Sequence, residues 1–187
     1  MDEKFLKDYF KDFRELINPD QETLDKLLSL KDEMIKVHSK GLKTLIFGNG
    51  GSAAMASHFS VDLTKNAGVR CLNFNEADLI TCFSNDYGFE KWIEKTIEFY
   101  GDKGDLLILI SSSGKSLNMI NAANAAKKFK FSKVVTFTGF QENNPLKTLG
   151  DINIWVNSRA YNFVENIHQV WLLSLVDLII GDKEYSA

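Results

Sequence analysis

Apolar positions at the amino terminus recur with the period of a helix. Phe5, Leu6, Tyr9, Phe10, Phe13, Leu16 and Ile17, separated by acidic and Lys residues, predict an amphipathic helix over residues 3–17 with an aromatic face. Asn18-Pro19-Asp20 ends it. A second helix runs from Gln21 to Lys40, with Leu24, Leu27, Leu28, Met34 and Ile35 on its face and Gly41 beyond its end. The pattern then changes. Thr44 to Phe47 and Leu106 to Ile110 are continuous apolar runs too short for helices and typical of strands buried on both faces. Arg70–Phe74 and Val134–Phe137 read as two more strands, and Ile152, Ile154 and Val156 alternate as an edge strand does. Helical stretches lie between them: from Ser52 onward, through Leu79, Ile80 and Phe83, from Trp92 to Tyr100, and from Met119 to Ala126. Ser84-Asn85-Asp86-Tyr87-Gly88 reads as a turn. The last helix, Phe163 to Ile180, is apolar nearly all round and so must be deeply buried or at an interface. Strands alternating with helices predict an α/β fold: a parallel five-stranded sheet wrapped on both sides, preceded by a helical pair, with ligands at the carboxyl ends of the strands.

Composition narrows this without redirecting it. The 187 residues, 44% hydrophobic, suffice for one three-layer domain, with residues 1–41 as the helical pair and 42–187 as the α/β core. Lys and Arg number 22 against 25 acidic residues, and no basic cluster interleaves with aromatics, which argues against nucleic-acid binding. The first residues lack an apolar signal core, and the longest apolar runs fall short of a membrane span, so a cytoplasmic protein is expected. Cys71 and Cys82 are isolated, as thiols in a reducing compartment are.

Chemistry enters at two loops. Gly48-Asn49-Gly50-Gly51-Ser52 follows the first buried strand and opens a helix, a place where backbone amides meet an anion. It is neither a Walker loop nor a dinucleotide fingerprint, so no nucleotide cofactor is expected. Ser111-Ser112-Ser113-Gly114-Lys115-Ser116 repeats the arrangement after the third strand. Four serines in six residues there exceed what helix capping needs and suit a phosphate, with Lys115 adding charge.

Two pairs of titratable residues stand on helices. His58 and Asp62 are four apart, so an imidazole and a carboxylate share a face and can share a divalent metal. Glu165 and His168 are three apart on the apolar last helix. Buried there, each needs a partner, and they can serve as an internal hydrogen bond or as a general base and acid.

The segments GNGGSAAMASHFSVDLTK and SSSGKS, with SNDYGF between them and VENIHQ on the late helix, resemble the SIS (sugar isomerase) family, and within it the phosphoheptose isomerases. Those enzymes interconvert sedoheptulose 7-phosphate and D-glycero-D-manno-heptose 7-phosphate. The resemblance implies a phosphosugar site between subunits of a homotetramer, often with zinc, serving the synthesis of surface-polysaccharide heptose. It places Asn49, Gly50, Gly51, Ser52, Ser111, Ser112, Ser113 and Ser116 around the phosphosugar, and Asn85 and Asp86 beside its hydroxyls. The family's zinc-binding His falls at His58, its catalytic, metal-binding Glu at Asp62 and its substrate- and metal-binding Gln at Glu165. Its catalytic His falls at Leu173, which can neither transfer a proton nor bind zinc. The expected catalytic set is therefore Glu165 as base and His168 as acid with Asp62, and the expected zinc ligands are His58, Asp62 and Glu165. Two alternatives accompany it: an isomerase of another sugar phosphate, and a non-catalytic member resembling the adaptor that binds the replication initiator DnaA.

Overall fold

The structure, a computed structural model, describes residues 1–185; residues 186 and 187, at the end of the expected α/β core, lie outside the described residues. Two helices, α1 (Asp2–Ile17) and α2 (Gln21–Ser39), precede the first strand, β1 (Thr44–Gly48). The chain continues through α3 (Gly51–Lys65), β2 (Cys71–Leu72), α4 (Ala77–Tyr87), α5 (Trp92–Tyr100), β3 (Leu106–Ser111) and α6 (Leu117–Lys128). It ends with β4 (Lys133–Thr138), a 3₁₀ turn at Lys147–Leu149, β5 (Ile152–Trp155) and α7 (Tyr161–Ile180). The five strands form one sheet in the order β2-β1-β3-β4-β5, with every neighbouring pair parallel.

Continuous apolar runs in β1 and β3 follow from burial on both faces. Leu106, Ile108 and Ile110 join Ile46, Val135 and Phe137 beneath α2, α3 and α7, while Leu107 and Leu109 join Leu45, Phe47 and Val134 beneath α5 and α6. Each fully buried side chain of this kind stabilises the fold by about 1.5–3 kcal/mol relative to exposure. At the amino ends of β1 and β3 the buried Asp105 carboxylate meets Lys43 Nζ at 2.6 Å and accepts from the Lys43 amide at 3.0 Å. That ion pair ties the two strands at the end away from the Gly/Ser loops.

Four expectations need correction. The second strand is only Cys71–Leu72, not Arg70–Phe74. Ser84 to Tyr87 form the last turn of α4, not a free turn; the amide of Gly88, at φ 89, donates to the Ser84 carbonyl and caps the helix. In α2 the buried face is Leu27, Leu30, Met34 and Val37, whereas Leu24, Leu28 and Ile35 are exposed. Finally, α7 reaches a mean hydropathy of 1.4 over 18 residues, so it is long and apolar enough to cross a membrane despite lacking a long unbroken apolar run. Here it is a core helix: Phe163, Val164, Ile167, Trp171, Leu172, Leu175 and Val176 are buried.

Helix α1 rests on α7 by an edge. Tyr9 and Phe13 meet the Phe163 ring edge-on, with centroids 4.5 and 5.5 Å away, and Trp171 Nε1 donates to the Ile17 carbonyl at 2.9 Å. Phe5, Leu6 and Phe10 on the same helix remain exposed.

Candidate active site

In the sheet order, the chain moves from β1 outward to β2 and from β3 outward through β4 to β5, so it reverses direction between β1 and β3. Crevices at such points are where open α/β sheets bind ligands. Gly48 pairs with Ile110, which sets the two Gly/Ser loops side by side. Asn49 and Asn118 clasp them through reciprocal amide hydrogen bonds of 3.1 and 2.8 Å.

Between the loops lies a cleft of about 180 Å³, lined by Asn49, Ser52, Ser111, Ser112, Ser113, Ser116, Tyr161 and Glu165. The serines are not spent on capping. Ser116 precedes α6 without making a side-chain cap; its hydroxyl lies 3.3 Å from that of Ser111. Ser113 Oγ accepts from the Lys115 amide at 3.2 Å, and the buried Ser112 Oγ has no hydrogen-bond partner among the described residues. A buried donor in that condition needs an oxygen from elsewhere. Neither Lys nor Arg lines the cleft among the described residues, and Lys115 is exposed on the loop away from its wall. Gly50 takes φ 55, ψ −122 to start α3, and Gly51 leaves room for the acid: a Cβ there would sit 2.5 Å from Glu165 Oε2.

Glu165 is thus held against the amino end of α3. Burial pushes its pKa up, and a hydrogen bond from Ser52 opposes part of that rise. His168 lies elsewhere. It is fully buried, its Nε2 donates to the Thr138 carbonyl at 3.1 Å, and its ring stands edge-on to Phe137 with centroids 5.5 Å apart. Burial lowers its pKa to about 4, and the bond to Thr138 opposes that fall. The expected Glu165–His168 pair is therefore not formed: the histidine ties α7 to β4 in the core and does not line the cleft.

His58 and Asp62 do meet, with Nε2 and Oδ2 3.2 Å apart. Gln169, which the sequence reading missed, lies 3.1 Å from the other ring nitrogen, Nδ1. Because an amide nitrogen only donates, Nδ1 accepts, the imidazole carries its proton on Nε2, and that proton goes to Asp62. Asn85 and Asp86 bond to each other at 2.9 Å on exposed α4 and are not part of the cleft wall.

The SIS domain family matches residues 8–139. The chain belongs to the SIS-domain family. Among the relatives of this SIS-domain chain, the phosphoheptose isomerase of Aliarcobacter butzleri is 33% identical, over 89% of this chain and 93% of that protein. The phosphoheptose isomerase of Buchnera aphidicola is 32% identical over 97% of this chain and 91% of its own length. Phosphoheptose isomerase GmhA from Neisseria gonorrhoeae superposes with a TM-score of 0.87 at 25% identity, covering 97% of this chain and all of that one.

Zinc, implied by the SIS resemblance, is tested by the donors themselves. The three expected ligands fall in two places: His58 and Asp62 are bonded to each other, with Gln169 on the remaining ring nitrogen, while Glu165 faces Ser52 and Gly51. No group of three His, Cys, Asp or Glu side chains converges among the described residues, and half-buried Leu173 stands where the resemblance implies a ligand. This arrangement does not fit a zinc site. Besides Gln169, the residues missed in the sequence are Asn118 and Tyr161. Each had a signal: Asn118 is a polar residue in the first turn of the helix that follows the serine loop, and Tyr161 and Gln169 stand one turn either side of Glu165.

Proposed function

We propose that this SIS-domain chain is an aldose-ketose isomerase of sugar phosphates, with sedoheptulose 7-phosphate and D-glycero-D-manno-heptose 7-phosphate as its pair. The observation that carries the reading is one carboxylate sharing a small cleft with five serines at the sheet's reversal point. The names of the relatives support a phosphoheptose, and the resemblance to the phosphoheptose isomerases supplies the particular pair.

The cis-enediol route needs one group to carry a proton between adjacent carbons and another to carry one between their oxygens. Glu165 takes the proton from the carbon beside the carbonyl. The C–H electrons form the enediol double bond while the carbonyl oxygen gains a proton, and reversal at the neighbouring carbon completes the isomerisation. A carboxylate whose pKa is raised by burial is a stronger base than a solvated one. His168, enclosed in the core, is not used. The oxygen-bound proton is assigned to the His58–Asp62 pair, further along the same α3–α7 seam, where Gln169 fixes the imidazole tautomer. Serine hydroxyls hold the phosphate as neutral donors.

The wider reading places the enzyme in the cytoplasm as a homotetramer supplying surface-polysaccharide heptose. The exposed Phe5, Leu6 and Phe10 on α1, with Leu24 and Leu28 on α2, support an apolar interface between copies. A second reading, a phosphosugar-binding member without turnover, is favoured by Leu173 and the scattered metal donors.

Turnover in deuterated water followed by NMR separates the two. The proposal expects deuterium at C2 of the aldose with wild-type protein and none with Glu165→Gln, which keeps the size of the side chain and its hydrogen-bonding capacity. Saturable sugar-phosphate binding without any exchange in the wild type would leave the binding-only reading.

A further inference from the structure

Tyr161, the first residue of α7, lines the cleft one helical turn before Glu165, so both project from one face of the helix. Its ring is held from the side by Phe140, with centroids 4.7 Å apart and planes at 76°. Phe140 has φ 58, a left-handed backbone conformation that bulky residues seldom take, and its amide donates to the Ser158 carbonyl at 2.8 Å. The amide of the preceding Gly139 donates to the Ser112 carbonyl at 2.9 Å. A two-residue segment therefore links the serine loop to the ring that Tyr161 leans on. Strained residues of this kind persist where surrounding structure holds them, and they gather at ligand sites.

Tyr161, 59% exposed, stands on the wall of the cleft with surface to spare for the part of a sugar phosphate that extends beyond the serines. A tyrosine offers an apolar ring to sugar C–H groups and a hydroxyl to their oxygens. We propose that Tyr161 is a specificity-determining residue that binds the carbon chain of the sugar phosphate, with Phe140 as the residue that positions it. This rests on the phosphosugar reading above.

Calorimetric titration with inorganic phosphate and with ketose phosphates of five, six and seven carbons tests it on the wild type, Tyr161→Ala, Tyr161→Phe and Phe140→Gly. Tyr161→Ala weakens sugar-phosphate binding about tenfold and leaves inorganic phosphate within about twofold. Tyr161→Phe, which keeps the ring, stays within about threefold of wild type, and Phe140→Gly, which relieves the backbone while removing the support, loses about threefold. The thermal midpoint of Tyr161→Ala stays near that of the wild type, because the side chain is largely exposed. Equal losses for phosphate and sugar phosphates, or no loss for either, would overturn the role of Tyr161. A wild type that binds inorganic phosphate as tightly as every sugar phosphate would overturn the phosphosugar reading itself, before any variant is compared. A wild type that prefers sugar phosphates while Tyr161→Ala keeps that preference removes Tyr161 alone.

Discussion

Glu165 and His168 lie three residues apart on α7 yet meet opposite surroundings. The carboxyl enters a polar cleft, faces Ser52 and keeps access to a ligand; the imidazole is sealed between α7 and β4 with its proton committed to a backbone carbonyl. Burial acts on both, raising the acid's pKa and lowering the base's, so each is driven toward its neutral form. For the acid the result, under the proposed function, is a base within reach of a substrate. For the histidine it is a hydrogen bond that holds a helix in place. Spacing on an apolar helix therefore identifies groups under constraint, and only the wall each one faces decides which is chemical.

The sharpest way to break this contrast is to neutralise each residue in turn. Glu165→Gln lowers turnover by about a thousandfold while sugar-phosphate affinity stays within a few fold, as steady-state kinetics and titration measure. His168→Gln leaves turnover per folded molecule within about threefold; a collapse matching that of Glu165→Gln would return His168 to the chemistry.

The next effect is on stability. The folded pKa of His168 is depressed from 6.5 to about 4, so an unfolded chain binds a proton there that the folded one refuses. The associated stability is complete above pH 6.5 and is lost as pH falls toward 4, by up to about 3 kcal/mol. Urea unfolding at several pH values measures the slope, which His168→Gln flattens over that window. Ser112→Ala has a smaller effect, weakening inorganic phosphate binding by about fivefold, the worth of one neutral donor. Gln169→Leu is smallest in stability, about 0.5 kcal/mol, and frees the His58 tautomer; a loss of turnover beyond about threefold marks the His58–Asp62 pair as part of the proton path.

Much of this was legible in the chain. Buried runs at Thr44–Phe47 and Leu106–Ile110 could only be central strands, and the serine-rich turn could be placed at a strand's carboxyl end before any coordinates. The turn read at Ser84–Gly88 failed because Asn85 and Asp86 satisfy each other's side chains without breaking the helix, and glycine at the fifth position was its cap. The exposed face of α2 was misread because Leu24, Leu28 and Ile35 are as apolar as the residues that are buried, and hydropathy alone does not say which stripe meets the core. His168 was placed in the site because periodicity gives a residue's neighbours along its own helix but not across it; only β4, arriving from elsewhere in the sequence, claims that ring.

One contact couples two positions. With no side chain at 51, the acid at 165 can lie against the start of α3; a methyl group there would occupy the space its carboxylate now fills. Gly51→Ala would therefore act as a lesion of Glu165 although the acid itself is untouched. The two positions are therefore sterically coupled: a side chain at 51 forces the acid at 165 to turn away from the start of α3, and the placement seen here needs glycine at 51.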